Sequence, residues 1–257
     1  MAKGYIFDLD GTVYLGDTMI CGAANTIRVL RERGDKIVFL TNKPIATRLS
    51  YVKKLNEMGI RAQLSDVLNS SLIMARFLRD RMQKGQTAYV IGERPIRDEL
   101  FEHGIPLTEN SEQADYLVLS WDRAFTYDKL NLLYQASMRG AFIAASNPDL
   151  TCPYEHGQIP DKGAIIAALE AATGKPVDEV VGKPSLIAAK AAVERLEVDA
   201  ADCYAIGDRL ETDIRMGNDA GMRSVLVLTG VSTIEMAERS PYKPDHVVPS
   251  IASVLSF

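Results

Sequence analysis

Apolar positions along the chain recur in two patterns. Short runs of β-forming residues alternate with longer stretches in which apolar residues return every third or fourth position. The runs at 3–7, 36–40 and 67–70 predict strands, and continuous apolar character suits strands buried on both faces. The periodic stretches at 23–33 and 46–58, closed by Gly34 and Gly59, predict helices, as does the segment that follows Ser70 through Leu78. The alternation continues with strands at 88–91, 116–120 and 141–145 and helices at 96–103, 127–138 and 162–172. It closes with a strand at 179–181, a helix at 185–196, and strands at 203–206 and 224–228. Strands separated by helices imply parallel sheets with right-handed crossovers, an α/β fold. Two polar interruptions, at 79–86 and 173–176, read as hinges. No internal repeat or low-complexity tract is present.

A chain of 257 residues is long enough for one or two domains at roughly 150 residues each. Apolar residues make up 47% and charged residues 25%, an ordinary globular composition that excludes a disordered or collagen-like chain. The net charge of −5 argues against a general nucleic-acid binder, whose affinity rests on neutralising phosphates. Cys21, Cys152 and Cys203 form no C-x-x-C pair and are read as small apolar fillers in a reducing, cytoplasmic setting. No apolar run approaches a membrane-spanning length, and no leader-like opening is seen. His103, His156 and His246 are scattered without metal-ligand spacing, and Trp121 is read as packing, as a dimer contact or as facing a substrate.

Four strand ends carry chemistry. Asp8-Leu9-Asp10-Gly11-Thr12 follows the first strand, so two carboxylates sit where open α/β sheets bind ligands. Adjacent carboxylates repel unless a proton or a cation intervenes, and hard oxygen ligands suit Mg²⁺. Thr41-Asn42 follows the second strand and offers donors to an anion. Lys43 comes next, and Pro44 fits a first helical position. Gly182-Lys183-Pro184 follows another strand, and a lysine there can neutralise a phosphate and a carboxylate together. Asp208 follows the 203–206 strand, and Asp213 falls near the start of the next helix. Gathered along one sheet edge, these residues make a metal and phosphate site. There is no P-loop, no dinucleotide fingerprint and no serine nucleophile elbow.

In this order, DLDGT, TN, GKP and GDRLETD resemble the haloacid dehalogenase (HAD) superfamily over nearly the whole chain. Ala145-Ser146-Asn147-Pro148-Asp149 and Val181-Gly182-Lys183-Pro184-Ser185 are similar to the NagD-like subgroup, subfamily IIA, and the region 127–131 to AraL-type sugar phosphatases within it. The resemblance implies that Asp8 is a nucleophile forming an aspartyl-phosphate and Asp10 the general acid and base. It implies that Thr41 and Asn42 bind phosphoryl oxygens and that Lys183 holds nucleophile and phosphate. Asp8, the backbone carbonyl of Asp10 and Asp208 would ligate Mg²⁺, supported by Asp213. Arg209, Leu210, Glu211 and Thr212 would line the phosphate side. Lys43 departs from the family pattern, in which many members carry a small or amide residue after this asparagine, and is read as a substrate contact that tunes charge preference. An acid two residues beyond the nucleophile marks the phosphatases of the family, so a phosphomonoester is the expected substrate.

Between Asn42 and Lys183 lie 140 residues, far more than one crossover needs. The expectation is a Rossmann-like parallel-sheet core, 1–79 and 179–257, with an inserted α/β cap of C2 type at 80–178. Such a cap would exclude water and select the leaving group, with Asn147 and Asp149 as substrate contacts. The expected partner is a small phosphorylated metabolite, with neither nucleic acid nor membrane, and the reading leaves room for a homodimer. Two other readings stay open: a phosphotransferase or phosphomutase using the same intermediate, and a non-catalytic phospholigand-binding regulator.

Overall fold

A computed structural model of the chain describes residues 2–154 and 157–257; His156 lies outside the described residues. The contacts divide the chain into two units. One takes the chain up to Thr41, Arg48–Leu68 and Lys183–Phe257, and the other Asn42–Thr47 and Asn69–Gly182.

In chain order the first unit opens with β1 (Gly4–Phe7), a small hairpin of β2 (Tyr14–Leu15) and β3 (Thr18–Met19), α1 (Ala23–Glu32), β4 (Lys36–Thr41), α2 (Arg48–Glu57) and β5 (Val67–Asn69). The second unit holds α3 (Ser70–Arg81), β6 (Ala88–Ile91), α4 (Arg94–Glu102), β7 (Tyr116–Leu119), α5 (Tyr127–Met138), β8 (Phe142–Ala145), β9 (Thr151–Tyr154), β10 (Gly157–Pro160), α6 (Lys162–Thr173) and β11 (Glu179–Val180). The chain returns to the first unit with α7 (Leu186–Leu196), β12 (Cys203–Gly207), α8 (Arg215–Asp219), β13 (Arg223–Val227), α9 (Ile234–Arg239) and β14 (His246–Val248).

The first unit is built on a sheet of order β14-β13-β12-β1-β4-β5. β1 runs parallel to both β4 and β12, with Phe7 opposite Phe39 and Ile206. All four residues of β1 are buried, which its uninterrupted apolar sequence anticipates for a central parallel strand. The strands that follow β1 in the chain build outward on one side, and β12 to β14 on the other. β1 and β12 therefore flank the point where strand order reverses, where doubly wound sheets bind ligands. α1 buries Ala23, Ile27 and Leu30 along one stripe, and α7 offers Ala188, Ala189, Ala191 and Ala192, whose small side chains allow close packing. This is the Rossmann-like α/β architecture expected from the alternation.

The second unit carries its own sheet, β11-β8-β7-β6, with parallel pairs throughout, and an antiparallel hairpin of β9 with β10. Leu117, Leu119, Leu133, Ile143 and Leu169 form its core. Trp121 is buried within this unit, with the Lys162 ammonium 5.6 Å from its ring, so it packs.

Several local expectations change. α2 starts at Arg48, so Lys43 and Pro44 lie in an irregular segment and Pro44 is not a first helical residue. α3 runs to Arg81, so residues 79–81 are helix rather than hinge. α3 packs on α4 and β11 pairs with β8, which explains why residues 70–79 and 179–182 group with the second unit. Cys21 is exposed and fills no core, whereas Cys152 and Cys203 are buried. Among the described residues, no helix is long and apolar enough to cross a membrane.

Candidate active site

The carboxyl end of β1 delivers Asp8, whose N–H donates to the Ile206 carbonyl of β12 at 2.9 Å. The next residues close a tight turn. Gly11 N–H donates to the Tyr14 carbonyl at 2.7 Å, and Val13 N–H to the Leu9 carbonyl at 2.9 Å. Gly11 has φ 93°, in the left-handed region, and a Cβ there would stand 2.7 Å from the Asp208 carboxylate. Glycine is therefore required on both conformational and steric grounds.

β12 ends at Gly207 and delivers Asp208, which is 2% exposed. Its Oδ2 accepts the Val231 N–H at 2.7 Å, and its carbonyl accepts the Ser232 N–H at 3.1 Å. One π-helical turn, Leu210–Ile214, then brings Asp213 back over the strand end, and such wide turns recur at functional sites. Asp213 Oδ2 accepts the Arg209 N–H at 3.2 Å. A Cβ at Gly207 would lie 2.1 Å from the Asp213 carboxyl carbon, so only glycine admits this return.

Lys183 precedes α7 and supplies the cation. Its Nζ donates to Asp8 Oδ1 at 2.5 Å and to Asp213 Oδ1 at 2.6 Å, with the side chain 3% exposed. Oxygens of Asp8, Asp208 and Asp213 lie within 4.8 Å of one another. Three buried carboxylates thus cluster round one ammonium, which contacts Asp8 and Asp213. Burial pushes the Asp8 carboxyl up to about 8, against the pull of Lys183 and with a further push from Asp213 and Asp208. Burial, then Asp213, pushes Asp208 up to about 6. Burial opposes the charge on Lys183, but Asp213 and Asp8 outweigh it and hold the ammonium above the ordinary lysine value. The cluster is short of positive charge, and its donors are hard oxygens in a cradle that a Cβ at Gly11 or Gly230 would fill. These residues fit Mg²⁺.

The other candidates fall in different places. Thr41 is the buried last residue of β4, beside β1. Asn42 opens the second unit, where its Nδ2 donates to Asp149 Oδ2 at 2.8 Å. Asn147 is fully buried and also donates to Asp149. The Asp10 carboxylate is not one of the three that converge. Leu210 is buried and packs with Ile214, Leu226 and Ala237, so its side chain serves the core. Thr212 is buried, Arg209 half-buried and Glu211 exposed.

Sequence reasoning overlooked the loop after β13. Thr229 Oγ1 donates to the Gly11 carbonyl at 2.6 Å, Val231 and Ser232 hold Asp208, and the Leu210 N–H donates to Ser232 Oγ. A Cβ at Gly230 would lie 2.0 Å from Asp208 Oδ2. The signal was present as a Thr-Gly-Val-Ser run directly after a predicted strand.

The sequence profile of haloacid dehalogenase-like hydrolases matches residues 5–106, and a HAD-hydrolase-like profile matches 180–254. The chain is 40% identical over 251 residues to the sugar-phosphatase AraL of Bacillus subtilis, covering 98% of this chain and 91% of the relative. Its fold matches the p-nitrophenyl phosphatase from Archaeoglobus fulgidus with a TM-score of 0.92, at 33% identity over 99% and 98% of the two chains. It also matches a glycerol phosphate phosphatase from Mycobacterium tuberculosis in complex with magnesium, with a TM-score of 0.90, at 29% identity over 98% and 76%. With its motifs at the strand ends of a Rossmann-like sheet and its match to the AraL relative over nearly its whole length, the chain belongs to the haloacid dehalogenase-like hydrolase family.

Proposed function

We propose that the protein is a Mg²⁺-dependent phosphatase of small phosphomonoesters that works through an aspartyl-phosphate on Asp8. The observation that carries this reading is the buried contact of Lys183 with both Asp8 and Asp213, beside Asp208. Lys183 favours the ionised form of Asp8, the form that can attack phosphorus. An Asp8 oxygen bonds to phosphorus as the ester P–O bond breaks, and Asp10 gives a proton to the leaving oxygen. Asp10, now a carboxylate, takes a proton from water, whose oxygen attacks the same phosphorus. The Asp8–phosphorus bond breaks, and inorganic phosphate and free Asp8 result.

The Thr41 hydroxyl donates a hydrogen bond to the phosphoryl oxygens, and Lys183 offsets their charge. Asp8, Asp208 and the backbone carbonyl of Asp10 would hold Mg²⁺, with Asp213 anchored behind them by Lys183 and the Arg209 N–H. Bound there, the ion offsets the charge of the carboxylates and of the phosphoryl oxygens. The magnesium complex of the glycerol phosphate phosphatase supports the choice of ion. The name of the AraL relative supports sugar phosphates as the first substrates to try. The three free cysteines agree with a cytoplasmic setting.

The test is phosphate release from a panel of sugar phosphates, nucleoside monophosphates and glycerol phosphates with Mg²⁺, comparing the native chain with Asp8→Asn. Turnover by the native chain alone supports the reading. Silence from both across the panel overturns it in favour of a phospholigand-binding regulator.

A further inference from the structure

The amino end of the first unit's sheet, opposite the edge that carries Asp8 and Asp208, holds a cavity of about 600 Å³. Lys36 opens β4 there and Thr41 closes the strand at the other edge, a rise of about 16 Å. Four cations line the cavity: Arg31 from the last turn of α1, Lys36, Arg61 from the loop after α2, and Arg195 from the last turn of α7. All belong to the first unit. Basic side chains in a helix's last turn offset its carbonyl dipole, which gives Arg31 and Arg195 a structural reason. Arg31 also donates to the Arg61 carbonyl and to Asp66 Oδ2 at 3.1 Å, and Arg195 Nε donates to the Ser65 carbonyl at 2.5 Å. The two arginines thereby pin the 61–66 segment as one wall. No such reason covers Lys36 and Arg61, whose side chains have no hydrogen-bond or ion-pair partner among the described residues.

Two of the three acids on the cavity wall are committed. Asp66 accepts Arg31 and the Gln63 N–H, and Asp35 Oδ1 accepts the Lys3 N–H at 3.0 Å. The third, Glu197, stands at φ 55°, the one positive φ at a non-glycine position among the described residues. Glycine would relax that turn, yet a carboxylate is kept there, able to accept hydroxyl groups. A second cavity of about 570 Å³ adjoins the first and shares Arg31 and Arg61 with it. Ala24 and the buried Ile27 and Ile60 give it an apolar floor. We propose that the joined cavities bind a nucleoside phosphate. Arg61, Lys36 and the remaining donors of Arg195 take the phosphoryl group, Glu197 the ribose hydroxyls, and Ile27 and Ile60 the base. A guanidinium fork suits phosphate oxygens, and lysine adds a point charge. In a chain of net charge −5 this cationic excess is local, which suits one small anion rather than a length of nucleic acid. The proposal needs no turnover, so it stands apart from the phosphatase reading.

The test is titration calorimetry of the full chain with AMP, adenosine and inorganic phosphate, in EDTA so that no divalent cation occupies the carboxylate cluster. The native chain is compared with Arg61→Ala, Lys36→Ala and the charge reversal Arg61→Glu. Both side chains are exposed, and melting curves check that the variants fold. AMP is expected to bind the native chain. Arg61→Ala and Lys36→Ala should each raise its Kd about tenfold, the weight of one hydrogen bond to a charged group, and Arg61→Glu should raise it further. Adenosine, which lacks the phosphoryl group, and inorganic phosphate, which lacks the base, should each bind at least about tenfold more weakly than AMP. No binding of AMP to the native chain, or a Kd that Arg61→Ala and Arg61→Glu leave unchanged, overturns the proposal. Inorganic phosphate bound as tightly as AMP overturns the assignment to a nucleoside phosphate. If the native chain releases phosphate with Mg²⁺ but binds no AMP in EDTA, only this inference fails.

Discussion

Gly230→Ala is a single added methyl group with a calculable consequence. Its Cβ would stand 2.0 Å from Asp208 Oδ2, 2.4 Å from Cγ and 2.6 Å from Cβ. Contacts below 3.0 Å are essentially never tolerated, so either the loop or the carboxylate must move by about 1 Å. Asp208 cannot swing away freely, because Val231 N–H holds its Oδ2 at 2.7 Å and Ser232 N–H holds its carbonyl at 3.1 Å. The same loop ties Gly11 through Thr229 at 2.6 Å, so moving it also disturbs the Asp8–Asp10 turn. A misplacement of about 1 Å in a catalytic constellation costs on the order of 10²-fold in rate. Overpacking of this kind costs about 1–3 kcal/mol of stability. The expected result is a folded protein, melting a few degrees lower, with kcat/KM down about 10²-fold and a higher Mg²⁺ concentration for half-maximal activity. Phosphate release across a Mg²⁺ titration, with circular dichroism as the folding check, measures both. Native kcat/KM with an unchanged Mg²⁺ requirement would refute the role given to this loop.

Other outcomes follow from the same geometry. Lys183→Met leaves buried Asp8 and Asp213 without their shared cation, and is expected to abolish turnover and cost about 3–5 kcal/mol in urea unfolding. Mg²⁺ at about 100 times its dissociation constant should stabilise the native chain by about 2.7 kcal/mol in thermal unfolding, and Asp208→Asn should lose most of that gain. Burial, reinforced by Asp35, pushes the Tyr5 hydroxyl up to about 12, above the value near 10 of an unfolded tyrosine. Its contribution to stability is complete below pH about 10 and is lost as pH rises from there to about 12. Ultraviolet titration near pH 11 should therefore find fewer of its ten tyrosines ionised in the folded protein than in the denatured chain, where about nine-tenths of the hydroxyls are ionised at that pH.

Where periodicity was strong, the elements were legible. The helix Tyr127–Met138 and the strand Ala88–Ile91 fall where the apolar pattern puts them, because local burial alone decides such segments. The acids at the ends of β1 and β12 could be flagged because a charged residue directly after a buried strand has no packing role. The β9–β10 hairpin escaped because Pro153 and Pro160 argue against strands, and a two-stranded edge hairpin tolerates them. Pro44 suggested a helix start, yet the helix waits until Arg48. The contact between Asn42 and Asp149 joins residues 107 apart, and nothing local in either segment announces it. The loop at 229–232 was hidden for a different reason: its hold on Asp208 comes from backbone N–H groups and from the missing side chain at Gly230.

The central claim is that Asp8 carries the phosphoryl group. Native protein with a turned-over phosphomonoester and Mg²⁺ can be quenched in acid during turnover and its peptides weighed. A phosphoryl group on the peptide containing Asp8, absent without substrate and absent in Asp8→Asn, is the predicted result. Undiminished phosphate release by Asp8→Asn, with no phosphorylated peptide in the native protein, would contradict it.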